Sequence, residues 1–322
     1  MEGSDRMNKR KVVKEAKKRT KILKRKNPLK TFVCFGLILF LVSGCINQGS
    51  TPAESAPEES VAEQTPPAEQ TSLESDVPPI SAEDLTITVI YDNNPFNPEL
   101  TAEWGFSCLI EGYEKTILFD TGGNGSILSE NMAILGINPE EIDIIVLSHI
   151  HGDHVDGLPA VLRQNSDVTV YVPQSFPYSF KEDVKGYGAD VVTVSEPVEI
   201  CEHVYSTGEM GLGIEEQALI VRTGRGLIVI SGCAHPGIVR MVTRAKDFLQ
   251  DNILFVMGGF HLFDATSLEI REIISDFREL GVLYAGPCHC SGDRTRELFK
   301  QEYGQNYIEI GVGTVIRVKD LV

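Results

Sequence analysis

From about residue 84 onward, apolar positions recur with two different spacings. Short runs rich in Val, Ile and Phe cover 85–91, 106–111, 116–119, 142–147, 168–172, 191–194, 204–206, 217–222, 227–230, 253–256 and 282–284. That length and composition predict β-strands. Longer segments with apolar residues three and four apart predict helices over 126–135, 158–164, 238–249, 267–280 and 295–301. Two last strands are predicted over 307–310 and 314–318. Thr223-Gly224-Arg225-Gly226 separates two strand runs and signals a hairpin. In each half, β-rich material precedes β/α alternation. Two sheets with helices on their outer faces satisfy that order, so the expected fold is α/β, a four-layer αββα sandwich. No linker signal follows residue 81, and 81–322 is read as one folded domain.

Upstream of residue 81 the periodicity stops. Residues 46–80 are rich in Pro, Glu, Ser, Thr and Ala and contain no aromatic residue. Such a segment buries too little apolar surface to fold and reads as a disordered acidic tether. Residues 1–45 read as a targeting segment: a basic stretch, an uncharged apolar run, then Val42-Ser43-Gly44-Cys45. This ending resembles the bacterial lipobox, in which the cysteine is lipidated and becomes the mature N-terminus, here Cys45. An uncleaved membrane anchor is the other reading, although the uncharged run 31–46 is shorter than the ~20 residues a spanning helix needs. Both place the folded body outside the cytoplasm and attach it to the membrane, because the basic flank stays inside.

Charge sharpens the picture of partners. The chain has 29 Lys and Arg against 46 Asp and Glu, a net of −17. Thirteen of the basic residues and three of the acidic ones fall in residues 1–30, so the body is more acidic than the whole. An acidic body repels polyanions, which argues against nucleic acid as a partner but leaves room for a small anionic substrate. Of seven cysteines, Cys34 and Cys45 belong to the targeting segment. The remaining five, Cys108, Cys201, Cys233, Cys288 and Cys290, are odd in number and irregular in spacing. They read as buried thiols with room for one bridge rather than as a disulfide framework.

The most informative chemistry is His149-Ile150-His151-Gly152-Asp153-His154, directly after the strand run 142–147. Three of the seven histidines lie within these six positions. Imidazole and carboxylate at the end of a strand are the usual donors for zinc and similar divalent ions. The other histidines share one plan: strand, small residues, then His. His235 follows Ser231-Gly232-Cys233-Ala234, His261 follows Met257-Gly258-Gly259-Phe260, and His289 follows Ala285-Gly286-Pro287-Cys288. Only His203 stands apart and reads as a surface residue. Asp120, in Phe119-Asp120-Thr121-Gly122-Gly123, is placed to orient a ligand histidine from behind, with a plain turn aspartate as the other reading. Asp153 is a candidate both to bind metal and to orient a water. His261 is a candidate proton donor to a leaving group or oxyanion. The Ser291-Gly292-Asp293-Arg294 segment reads as a helix start suited to an anion. Phe96, Trp104 and Phe106 are candidate cleft walls or core residues.

The His149 to His154 cluster resembles the signature of the metallo-β-lactamase superfamily. Asp120, His235 and His289 match that superfamily's other motifs in order, over roughly residues 84–318. The resemblance implies the αββα fold. It implies one cation on His149, His151 and His235 and a second on Asp153, His154 and His289. Zinc is the first expectation, with manganese, iron or magnesium on the same donors and either one or two ions bound. The superfamily's bridging Asp is missing: the corresponding stretch reads Gly258-Gly259-Phe260-His261, with His261 the nearest substitute. Ser-Gly-Cys-Ala-His-Pro-Gly, Gly-Gly-Phe-His-Leu and Cys-His-Cys-Ser-Gly resemble one branch, named for a dihydropterin-methyl ribofuranosylaminobenzene-phosphate synthase. The leading expectation is a metal-dependent hydrolase acting on a small ester or phosphoester. A transferase of that branch, working with diphosphate loss, is the second. A metal-binding or sensing lipoprotein with a degenerate site is the third.

Overall fold

The computed structural model describes residues 85–321. The expected lipidated Cys45 and the tether over 46–80 lie outside the described residues. In chain order the first strands are β1 (Thr86–Asp92), β2 (Phe106–Glu111), β3 (Ile117–Phe119), β4 (Ile144–Val146), β5 (Thr169–Pro173) and β6 (Asp190–Val194). They are followed by β7 (Val198–Cys201), β8 (Val204–Ser206), β9 (Leu219–Thr223), β10 (Gly226–Ser231), β11 (Ile253–Gly259), β12 (Tyr284–Cys288) and β13 (Val315–Arg317). The helices are α1 (Gly125–Leu135), α2 (Gly152–Val155), α3 (Leu158–Leu162), α4 (Tyr178–Gly186), α5 (Ile238–Leu249), α6 (Ser267–Leu280) and α7 (Asp293–Tyr303). One sheet has the order β13-β1-β2-β3-β4-β5-β6, the other β12-β11-β10-β9-β8-β7.

The layers follow from the two-residue period of the strands. On β4, Ile144 and Val146 enter one apolar cluster, while Ile145 enters another. On β10, Ile228 and Ile230 join the cluster reached by Ile144 and Val146. Leu227 and Val229 turn instead to a third cluster with Met241, Ile274 and Phe299 of α5, α6 and α7. The shared cluster is therefore the seam between the sheets, and the other two lie under helices. Three cores separate four layers, and the αββα expectation holds.

Several local expectations also hold. Thr223 pairs with Gly226 across a two-residue turn, as the hairpin signal requires. Helix α6 covers the predicted 267–280; a capping box, Thr266 with Glu269, starts it and left-handed Gly281 ends it.

Others do not. Residues 307–310 form no strand; Tyr307 makes a single bridge to Ala285. The neighbouring strand β12 carries Pro287, which has no N–H to extend a ladder. Helix α4 escapes the periodicity because Val184 is its one fully buried residue. All five described cysteines are free thiols, so the room left for a bridge is not used. Phe106 is core, not cleft wall.

Parallel pairing positions the site. Strands β3 and β4 run parallel, as do β10, β11 and β12. Their carboxyl ends deliver Asp120, the His149 loop, Cys233 to His235, His261 and His289. Strands β11 and β12 run further than the apolar pattern suggests, so their small residues sit inside the strands. Gly258 adopts φ 110°, and a side chain there would run into the Ser231 carbonyl. Glycine thus lets β11 approach β10 at the point where the metal-type residues emerge.

Candidate metal centre

The donors of the His149 loop are oriented by the buried carboxylate of Asp120. Its Oδ1 accepts from the Ser148 amide at 2.7 Å, and its Oδ2 accepts from Ser148 Oγ at 2.7 Å. Oδ2 also lies 2.7 Å from Nδ1 of His154. A carboxylate only accepts, so His154 carries its proton on Nδ1 and presents Nε2 outward. Ser148 Oγ has spent its proton on Asp120, so at 2.9 Å it accepts from Nδ1 of His149. His149 therefore also presents Nε2. His289 repeats the device from the other sheet, with Nδ1 at 2.8 Å from Asn93 Oδ1. Asp92 accepts from the His289 amide at 3.1 Å and fixes the backbone there.

The loop after β10 is held by a different carboxylate. Glu216 Oε1 accepts from the amides of Gly232, Cys233 and Ala234 at 3.1, 2.9 and 2.9 Å. Its Oε2 accepts from the His235 amide at 2.8 Å. Burial raises the pKa of Glu216, and these amides pull against that rise. Four of the six described non-glycine residues with positive φ fall at this end of the sheets: Asp120, Ala234, His261 and His289. Such conformations are costly and persist where surrounding contacts enforce them.

The outcome is two groups of donors. Nδ1 of His151 lies 3.0 Å from His149 Nε2 and 3.2 Å from His235 Nε2. Asp153 Oδ2 lies 3.6 Å from His154 Nε2 and 3.4 Å from His289 Nε2. All six residues singled out from the sequence as metal-type donors are thus brought together. Asp120 stands behind them, against His154. His261 is exposed and lies at the margin, its ring 4.4 Å from that of His235. His203 packs beside Tyr113. Trp104, half-exposed, lies 4.8 Å from the His289 ring and walls the site. Arg296 is tied to Asn94 and Arg294 to the Ala265 carbonyl.

Sequence reading missed Glu216, Ser148 and Asn93 as supports, and it noted Cys233 only as a neighbour of His235. Cys233 Sγ lies 3.3 Å from His154 Nε2. No sequence signal marks Glu216, because it acts on main-chain amides 16 to 19 residues away.

The electrostatics favour neutral imidazoles at His149 and His235. Burial first, and then the neighbouring histidines, push His149 well down and His235 to about 4. Burial would likewise lower His154, but the charge of Asp120 turns it upward and makes it a stronger base. Burial would raise Asp153; the adjacent His289 and His154 hold it below the usual carboxylate range.

These residues fit a divalent cation. A tetrahedral ion with ~2.0–2.1 Å bonds places its nitrogens about 3.3 Å apart, near the separations within the first group. His289 Nε2 is buried and has no hydrogen-bond partner, which is costly unless a ligand satisfies it. Beside His235 and His261 lies a cleft of about 340 Å³, mostly apolar, with Ile238, Phe260, Leu262 and Arg240 in its wall.

Comparison with known proteins agrees with this geometry. Residues 105–247 match the model of the metallo-beta-lactamase superfamily. The chain is 30% identical to the 7,8-dihydropterin-6-methyl-4-(β-D-ribofuranosyl)-aminobenzene-5'-phosphate synthase of Methanocaldococcus jannaschii, over 71% of this chain and 95% of that one. It is 32% identical to ribonuclease Z of Nanoarchaeum equitans, over only 27% of this chain and 28% of that protein. Among solved structures it resembles Tm1679, described as a metal-dependent hydrolase of the beta-lactamase superfamily. That match has a TM-score of 0.62 and 28% identity, and covers 73% of this chain and 99% of the other. With its fold, its histidine-rich strand ends and a relative matched over nearly its full length, the chain belongs to the metallo-β-lactamase superfamily.

Proposed function

We propose that the protein is a metal-dependent hydrolase of a small, anionic ester or phosphoester. The observation that carries this reading is the pair of adjacent donor triads, with His289 Nε2 buried and unpartnered between its neighbours. His149, His151 and His235 would hold one ion, and Asp153, His154 and His289 a second. Zinc fits these donors best among the candidates. A divalent ion held there supplies Lewis acidity to a substrate oxygen and draws the pKa of water toward ~7. Asp153, partly accessible and kept ionised by His289 and His154, accepts a hydrogen bond from the attacking water and aligns it. His261, exposed at the margin, has its pKa raised first by its hydrogen bond to Cys290, which favours a role as proton donor to a leaving group. The cleft beside His235, with Arg240 in a mostly apolar wall, suits a substrate with an apolar body and an anionic group.

Asp153→Asn should lower kcat at least ~100-fold on a responsive phosphodiester or lactone, the scale of a lost acid–base partner. An unchanged kcat would remove Asp153 from the reaction.

The match across 95% of the archaeal synthase favours a second reading, a transferase acting on a pterin-type substrate. Turnover in heavy-oxygen water separates the two: a hydrolase places solvent oxygen in its product, and a transferase does not. The acidic body disfavours RNA, despite the partial likeness to ribonuclease Z. We place the protein outside the cytoplasm on a lipidated Cys45; Cys45→Ala would then shift it from the membrane fraction to the soluble one.

A further inference from the structure

We infer that Cys233 is a metal ligand shared by the two triads, its thiolate serving as the bridging anion that no carboxylate provides. The inference rests on the metal centre proposed above and adds a donor to it. The two triads have no residue in common, and six donors carry only the charge of Asp153. Two cations a few ångströms apart repel strongly unless an anion lies between them.

Cys233 occupies that place. Its Sγ falls within 4.8 Å of the donor atoms of His149 and His154, of His235 and His261, and of His289 and Cys290. It thus reaches two members of the first triad, His149 and His235, and two of the second, His154 and His289. The 3.3 Å separation from His154 Nε2 is that of two ligands on one ion, given bonds of ~2.3 Å to sulfur and ~2.0 Å to nitrogen.

The thiol sits beside Cys290 and takes no part in the apolar packing. Cys108 and Cys288 pack into the apolar seam between the sheets, whereas Cys233 belongs to none of the three apolar clusters. Its backbone is clamped by Glu216, and the following residue, Ala234, is held at φ 61°. This cost fixes the direction of the loop from which Sγ projects.

The same packing explains why the carboxylate is absent. A side chain added at Gly259 would collide with the Gly232 carbonyl, meet Cys290 Sγ at 2.7 Å and meet the Cys233 Cα at 3.1 Å. The volume at the end of β11 is therefore filled from β10 and β12 by cysteines. Cys290 is a positioning residue: its S–H donates to the Cys233 carbonyl at 3.6 Å. Metal binding displaces the Cys233 thiol proton to solvent. A soft sulfur in the shared position selects zinc or ferrous iron over magnesium and manganese.

Cobalt substitution of the full-length chain tests this without relying on turnover. The wild type should show a near-ultraviolet thiolate-to-cobalt charge-transfer band. Cys233→Ala should lose the band and bind one ion where the wild type binds two, and Cys290→Ala should keep the band. Cys233→Asp should recover the second ion without the band. X-ray absorption of the zinc-loaded wild type requires no variant, and it should show sulfur at ~2.3 Å beside nitrogen and oxygen. Zinc with nitrogen and oxygen neighbours alone, or a band that survives in Cys233→Ala, overturns the shared thiolate and leaves the metal centre standing. A wild type that binds no metal overturns both.

Discussion

The two sheets contribute to one centre by opposite means. The β1–β6 half delivers His149, His151, Asp153 and His154 from a single loop, backed by side-chain contacts to Asp120. The β9–β12 half delivers His235, His261 and His289 singly, each from the end of a different parallel strand. There the support is mostly main-chain: Glu216 grips four consecutive amides and glycine lets strands close in, while Asn93 holds the His289 ring. One half concentrates its chemistry in sequence and orients it with side chains. The other concentrates it only in space and orients it largely through the backbone.

The largest effect should come from breaking the side-chain support. Asp120→Ala strips the partner from three buried groups and frees the His154 ring. Loss of about 3–5 kcal/mol of stability is expected, the scale for removing one member of a buried charged pair. Metal affinity should fall about 10–100-fold, the usual consequence of losing a ligand's hydrogen-bond partner. Thermal unfolding and chelator competition measure the two losses. Undiminished affinity would show that the first half does not depend on Asp120.

Breaking the main-chain support should cost less. Glu216→Gln keeps the shape but turns an acceptor into a donor against one of the four amides. A loss of about 1–3 kcal/mol is expected from one unsatisfied buried group. The ion on His149, His151 and His235 should weaken more than the one on Asp153, His154 and His289. Equal weakening, read by stepwise metal titration, would erase the distinction between the halves.

The smallest effect lies outside both. Glu269 caps α6, and its pKa is held below the ordinary 4.5, chiefly by the Thr266 amide. A carboxylate with a lowered folded pKa stabilises above its unfolded value, and that contribution vanishes as pH falls through the folded one. Glu269→Gln should therefore lower Tm slightly at pH 7, match the wild type once pH drops well below 4.5, and leave metal affinity unchanged. Any change in metal affinity would mean that damage to an outer helix reaches the centre.

The same contrast decides what was legible beforehand. The His149 cluster is visible because its residues are neighbours in the chain and follow an apolar strand. His235 and His289 are visible because parallel strands align their carboxyl ends, so a histidine after each strand has one destination. The layers follow from alternation on strands such as β4 and β10. Glu216 could not be read, since Glu215-Glu216 looks like a solvated turn and its partners are amides, which every residue has. Asn93 meets His289 across 196 positions, a register that no local pattern encodes. The misread strand over 307–310 shows the converse: an apolar stretch beside a sheet still needs a neighbour with donors to give.

The grip of Glu216 on four successive amides has an evolutionary corollary. Because the clamp recognises only N–H groups, it is indifferent to which side chains the loop displays. The side chain at position 233 can then be exchanged through a lineage while the turn keeps its course. A protein built this way can trade one donor atom for another, and with it the ion it prefers, without redesigning the scaffold beneath.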